Sequence, residues 1–216
     1  MLDLSFIARN ASFLFEGLLL SLALTAIGVL GGLIVGTALM LIRLFAGAIG
    51  NYLVDAYVFL FRAIPLILVI FWFYFMVPLI LGRPVGAWTS AIVAFTLFEG
   101  AYYSEIIRAG IKSVRVGQMN AALASGMSRG QALRHVILPQ AFAAMIPIFL
   151  TQAIILFQDT SLVFVVSLHD FLTATSIIAN RDGRLIEAYA FACIVYYVIC
   201  LVATAGVETL KRKFAR

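Results

Sequence analysis

The stretch VGQMNAALASGMSRGQALRHVILPQ, residues 116–140, decides how the rest of the chain is read. It is small, polar and basic, and it interrupts a sequence otherwise oily enough to dissolve in a bilayer. Hydrophobic residues make up 64% of the 216 and charged residues 12%, whereas an average soluble domain is about 25% charged. The mean hydropathy is +1.10. These values describe an all-α integral membrane protein with room for about five spans of roughly 20 residues and for no separate soluble domain. Residues 1–216 therefore read as a single transmembrane domain, in which about 112–139 form a large loop between spans.

Working outward, the apolar runs predict spans over 17–42, 64–81, 87–107, 141–157 and 187–208. The segment 52–61 carries Asp55 and reads as interfacial. In the first span Gly28, Gly32 and Gly36 recur every four residues, a pattern that lets a second helix approach closely. Cys193 and Cys200 fall in one apolar run, about 10 Å apart along a helix, too far for a disulfide between them. With the amino terminus outside and the carboxyl terminus inside, eleven lysines and arginines lie on the inner side and four on the outer. The positive-inside rule favours that orientation. It also accounts for the net charge of +5 without nucleic acid as a partner. The quoted stretch is then cytoplasmic.

Within it, the alanine-rich segment around Gln118 predicts a smooth helix that Gly126 is placed to end. Ser128 followed by Gln131 has capping-box spacing and predicts a new helix from Arg129. Pro139 predicts a bend into the fourth span. A hairpin lying on lipid has similar composition but needs bulky apolar anchors, and this loop offers alanines, which suit a protein groove.

At this point the chain resembles the membrane permease subunits of bacterial ATP-binding-cassette importers for polar amino acids. The residues that carry the resemblance are Asn120, Ala121, Ala122 and Gly126 with VILPQA at 136–141, RAIPL at 62–66, YYSEIIRAGI at 102–111 and DTSL at 159–162. Asn120 stands where the family's loop usually has glutamate, and Gln158 where a lysine commonly precedes Asp-Thr-Ser-Leu. With WFYFMVP and LFQDTSLVFVVSL, these departures look most like the glutamate/aspartate branch. The resemblance implies a type I importer permease of the bacterial inner membrane, multi-pass, with no cofactor of its own and no chemistry on its substrate. It implies a dimer of cytoplasmic ATP-binding subunits carrying ATP and Mg, a second permease subunit and a periplasmic substrate-binding protein. It also implies that Asn120, Ala121, Ala122, Gly126, Ser128 and Gln131 belong to a coupling helix that docks in the ATPase.

The candidate substrate residues come from depth and local pattern. Glu99 lies about 16 Å into the third span, near the midplane of a roughly 30 Å core, where an ionisable group is costly unless used. Tyr103 shares its face. Two roles are open to Glu99: a structural carboxyl group, or an acceptor for the α-amino group of an amino acid. Gln158, Asp159, Thr160 and Ser161 interrupt an apolar run with consecutive capping residues, predicting a broken helix whose free amides receive a carboxylate, or else a capped turn. Arg62 sits near the inner end, where lipid phosphate or a loop suits it better than substrate. Glu105 and Arg108 have intrahelical pair spacing. An ATP-independent secondary transporter or channel would also tolerate Glu99, but the internal repeat common in such proteins is not seen. A membrane enzyme lacks a metal cluster, nucleophile elbow or phosphate loop.

Overall fold

The computed structural model describes residues 5–214 and is helical, with no strand among the described residues. Arg216, which enters the charge asymmetry, lies outside them, as do the side chains of Ser5, Lys213 and Phe214. A short helix α1 (Ser5–Arg9) leads into α2 (Ala11–Phe45), followed by α3 (Gly47–Ala63) and α4 (Leu66–Phe71). A π-helical turn, Trp72–Met76, joins α4 to α5 (Val77–Leu81), and α6 (Ala87–Ser113) follows. The loop holds α7 (Val116–Ala124) and α8 (Arg129–Ala132), and a second π-helical turn, Leu133–Ile137, leads into α9 (Leu138–Asp159). A 3₁₀ segment, Thr160–Val166, then precedes α10 (Phe171–Asp182) and α11 (Leu185–Phe214).

Three helical stretches are long and apolar enough to cross a membrane, Ala11–Phe45, Arg129–Val166 and Leu185–Arg212. A fourth candidate is bent: Gly47–Ala63 and Leu66–Leu81 meet at 104°. The segment expected to be interfacial is part of a full helix, Gly47–Ala63, set at a steep angle to the one that follows. The bend has a local cause: Ile64 precedes Pro65, whose ring disfavours helical backbone before it, and Ile64 is extended at φ −110°, ψ 133°. Both π turns run into a proline at the second position of the next helix, Pro78 and Pro139. The wider turn makes room for a ring that would clash with the carbonyl four residues back. The stretch Arg129–Val166 thus passes through Pro139, where a bend was expected, as one helical run.

The helix that organises the rest is α6. It packs along α2, α3, α4 and α9 and buries Ala91, Ala94, Phe95, Phe98, Glu99, Ala101, Tyr103 and Ser104. The small-residue row of α2 is the reason it can come so close. A Cβ at Gly28 would stand 3.3 Å from the Cβ of Phe95, at Gly32 2.5 Å from the Cβ of Glu99, and at Gly36 2.8 Å from the Ser104 nitrogen. A second, smaller core of Phe6, Leu14, Phe171, Ile178, Ala179, Ala188 and Ala192 ties α10 to the amino-terminal end. There the Ser21 hydroxyl accepts from the Phe171 N–H at 3.1 Å, and Asp170 caps α10 by accepting from the Leu172 and Thr173 N–H groups, both at 3.1 Å.

Candidate translocation site and coupling loop

Glu99 is fully buried at the middle of α6. Its Oε1 accepts from Nε2 of Gln152 on α9 at 3.1 Å. Its Oε2 meets no hydrogen-bond partner among the described residues, and neither do the hydroxyls of Tyr103 and Ser104 on the same helix. Uncompensated burial of a polar atom is costly, so several such atoms at one depth are unusual for a purely structural cluster. The Tyr103 ring packs edge-on against Phe149, 5.3 Å between centroids, while Gly32 leaves space for both Glu99 and Tyr103. Asp159 lies seven residues beyond Gln152, about two turns along the same face, and within electrostatic range of Glu99. The arrangement offers carboxylate acceptors and a phenol, which suits a ligand bearing an ammonium group.

Of the two arrangements open to Gln158 to Ser161, a broken helix or a turn, the structure forms no broken helix at Asp159. Asp159 keeps helical backbone, and the chain tightens into the 3₁₀ segment instead of restarting. Thr160 donates its hydroxyl to the Phe157 carbonyl at 2.7 Å and Ser161 to the Gln158 carbonyl at 2.8 Å. Their side chains thus serve the preceding turn rather than capping a new one. Gln158 points to α11, donating to Cys200 Sγ at 3.4 Å, and with Ser161 it lines a separate cavity of about 290 Å³ beside Leu172, Tyr189 and Tyr196. Glu99 and Gln152 are therefore brought together with Tyr103 one turn along α6, Asp159 stands about two turns further along α9 beside the buried Thr160, and Gln158 and Ser161 face a different cavity.

The sequence reading missed Gln152. It is a polar residue in an apolar run, two turns before Asp159, and that spacing was available as a signal. It also missed Arg43, whose side chain is buried and bonds Asp55 at 2.6 Å and Glu105 at 3.0 Å, tying α2 to α3 and α6. Glu105 and Arg108 form the pair their spacing predicts, at 2.8 Å. At the carboxyl-terminal end of α10, Asp182 accepts from Arg181 at 2.8 Å, and that bond holds its carboxyl below the usual carboxylate range.

In the loop, α7 ends in a Schellman arrangement. The Met127 N–H bonds to the Ala122 carbonyl at 3.2 Å and the Gly126 N–H to the Leu123 carbonyl at 3.0 Å. This requires the left-handed backbone that Gly126 adopts at φ +84°. The capping box is complete: Ser128 Oγ accepts from the Gln131 N–H at 3.3 Å, and Gln131 Oε1 accepts from the Ser128 N–H at 2.9 Å. Ala122, expected on the docking face, is turned inward at 6% exposure, where α7 packs on α8 and the following π turn. Asn120 and Ala121 are exposed on α7, as are Gly126, Ser128 and Gln131 beyond it.

Residues 28–216 match the family described as binding-protein-dependent transport system inner membrane component, and the chain belongs to that family. It is 48% identical to the glutamate/aspartate import permease protein GltK of Escherichia coli, over 99% of this chain and 98% of that one. It is 32% identical to the arginine transport system permease protein ArtQ of Bacillus subtilis, over 98% and 97%. Among solved structures, a crystal structure of an amino acid ABC transporter with histidines superposes with a TM-score of 0.92 at 26% identity, covering 99% of each chain. The MetNI methionine ABC transporter in an inward-facing conformation shares the fold, with a TM-score of 0.78 at 21% identity over 96% of this chain and 99% of that one.

Proposed function

We propose that this chain is the permease subunit of an ATP-driven importer of amino acids, with glutamate and aspartate as its substrates. The observation that carries this reading is the 48% identity with a glutamate/aspartate permease, maintained over essentially the whole of both chains. The amino terminus faces out and the carboxyl terminus in, as the charge asymmetry favours. α7 and α8 then meet a cytoplasmic ATPase dimer that binds ATP and Mg, a second permease completes the path, and a periplasmic binding protein delivers the substrate. Asn120 and Ala121 provide the docking surface, while Ala122, Gly126, Ser128 and Gln131 keep the hairpin rigid. Closure of the ATPase dimer pushes this hairpin, and the continuous run from Arg129 through α9 carries the movement to Gln152 and Asp159. Glu99 receives the α-amino group of the substrate, with Gln152 bonded to it, Tyr103 one turn along α6 and Asp159 about two turns further along α9. Thr160, Gln158 and Ser161 act further out along the path.

The test is uptake into liposomes containing this chain with its ATPase and binding-protein partners. ATP-dependent accumulation of labelled glutamate and aspartate, well above that of arginine and glutamine, is the expected result. Uptake that proceeds without ATP, or that prefers arginine, overturns the proposal.

A further inference from the structure

We infer that the cavity between α3 and α6 is a headgroup site for an anionic phospholipid. Its wall comprises Asp55, Val58, Phe59, Arg62, Ala63, Glu105 and Arg108, around about 390 Å³. The charged groups behind and around it are unequal in number: the guanidiniums of Arg43, Arg62 and Arg108 face the carboxylates of Asp55 and Glu105. Arg43 is taken up by both carboxylates and Arg108 by Glu105. Arg62 is left to the face of Tyr102, its guanidinium carbon 5.3 Å from the ring centroid. The surplus positive charge is thus on the cavity wall rather than in the ion-pair network.

Depth identifies the occupant. Glu105 and Arg108 lie six and nine residues beyond Glu99, about 9 and 13 Å further along the helix axis. If Glu99 marks the midplane, half of a roughly 30 Å core ends at that level. The cavity therefore stands where lipid phosphates begin and where arginine side chains reach for them. Its mouth is apolar on one side, since Phe59 is 76% exposed on α3. A soluble anion has no use for that surface, whereas an acyl chain beneath a phosphate covers it. Basic pockets between spans on the cytoplasmic side recognise anionic headgroups by this combination of fixed positive charge and adjoining hydrocarbon.

The experiment uses the full chain purified with its partner subunits in mild detergent, with lipid binding read by native mass spectrometry. Three probes are compared: phosphatidylglycerol, phosphatidylethanolamine, and glycerophosphoglycerol, which has the anionic headgroup and no acyl chains. The native protein is expected to hold phosphatidylglycerol about fivefold more tightly than phosphatidylethanolamine, the scale of one basic contact. Arg62→Gln is expected to erase the preference, Arg62→Lys to retain most of it, and the free headgroup to bind too weakly to register. Equal retention of the two lipids by the native protein overturns the site, and this outcome does not depend on any variant folding. So does a preference that survives Arg62→Gln. Tight binding of glycerophosphoglycerol by itself assigns the cavity to a soluble anion and overturns the lipid reading.

Discussion

α6 and α11 are both long enough to cross a bilayer, yet they are opposites. α11 is strongly apolar, and little of its apolar stretch is buried inside the protein. α6 carries Glu99, Glu105, Arg108 and Lys112, falls outside the set of most apolar helices, and is packed by α2, α3, α4 and α9. In a membrane the usual logic of burial is inverted. Apolar composition records contact with lipid, and the helix surrounded by other helices is the one able to hold carboxylates. Hydropathy thus locates the boundary of the bundle better than its centre.

The sharpest way to break this comparison is to crowd one glycine on each side of it. Gly32→Val places branched carbon where even a Cβ would stand 2.5 Å from Glu99 and 2.9 Å from Tyr103, and overpacking of this kind costs about 2–3 kcal/mol. A Cβ at Gly206 in α11 meets nothing within 4 Å, and Gly206→Val is expected to change stability by no more than about 0.5 kcal/mol. Thermal unfolding in detergent measures both. Equal shifts would mean that α11 is packed in the assembly as tightly as α6 is packed in the chain.

The next effect is on transport more than on folding. Glu99→Gln keeps the shape and a hydrogen-bonding group for Gln152 but removes the charge. Losing a bond to a charged group is worth about 1.5–3 kcal/mol, so uptake of the amino acid is expected to fall by at least about tenfold, with little change in the melting temperature. Cys200→Ala in α11, which removes only the long contact from Gln158, is expected to leave uptake within about twofold. A normal uptake rate for Glu99→Gln would return Glu99 to a structural role.

The same contrast explains what the sequence disclosed. Periodic and local signals were legible: the apolar runs, the Gly28, Gly32 and Gly36 row, the Glu105 to Arg108 pair, and both ends of the loop hairpin. Each depends on residues close in the chain or on one helix face. The Arg43 network was not legible, because it joins residues 12 and 62 positions apart and no local pattern announces that meeting. The choice left open at Thr160 and Ser161, a broken helix or a turn, had a different cause. Their hydroxyls suit a new helix start and a preceding turn equally well, and helix continuity through Asp159 chose the turn. Ala122 was placed on the correct helix, but a nine-residue helix with small residues on several sides does not show from sequence which side faces its own hairpin.

The smallest expected effect separates rigidity of the loop from stability of the spans. Ser128→Ala removes the acceptor of one capping bond and leaves Gln131 without its reciprocal partner, a loss of about 1 kcal/mol confined to α8. Melting of the bundle should scarcely move, because α8 contributes only Ala132 to the buried residues. Hydrogen exchange should quicken across residues 128–132, and the ATP consumed per amino acid imported should rise as the hairpin yields under load. Faster exchange with unchanged coupling would show that the hairpin transmits force through the backbone run into α9 alone. Unchanged exchange would place the stiffness in the packing of α7 on the π turn, with Ala122 rather than Ser128 as its centre.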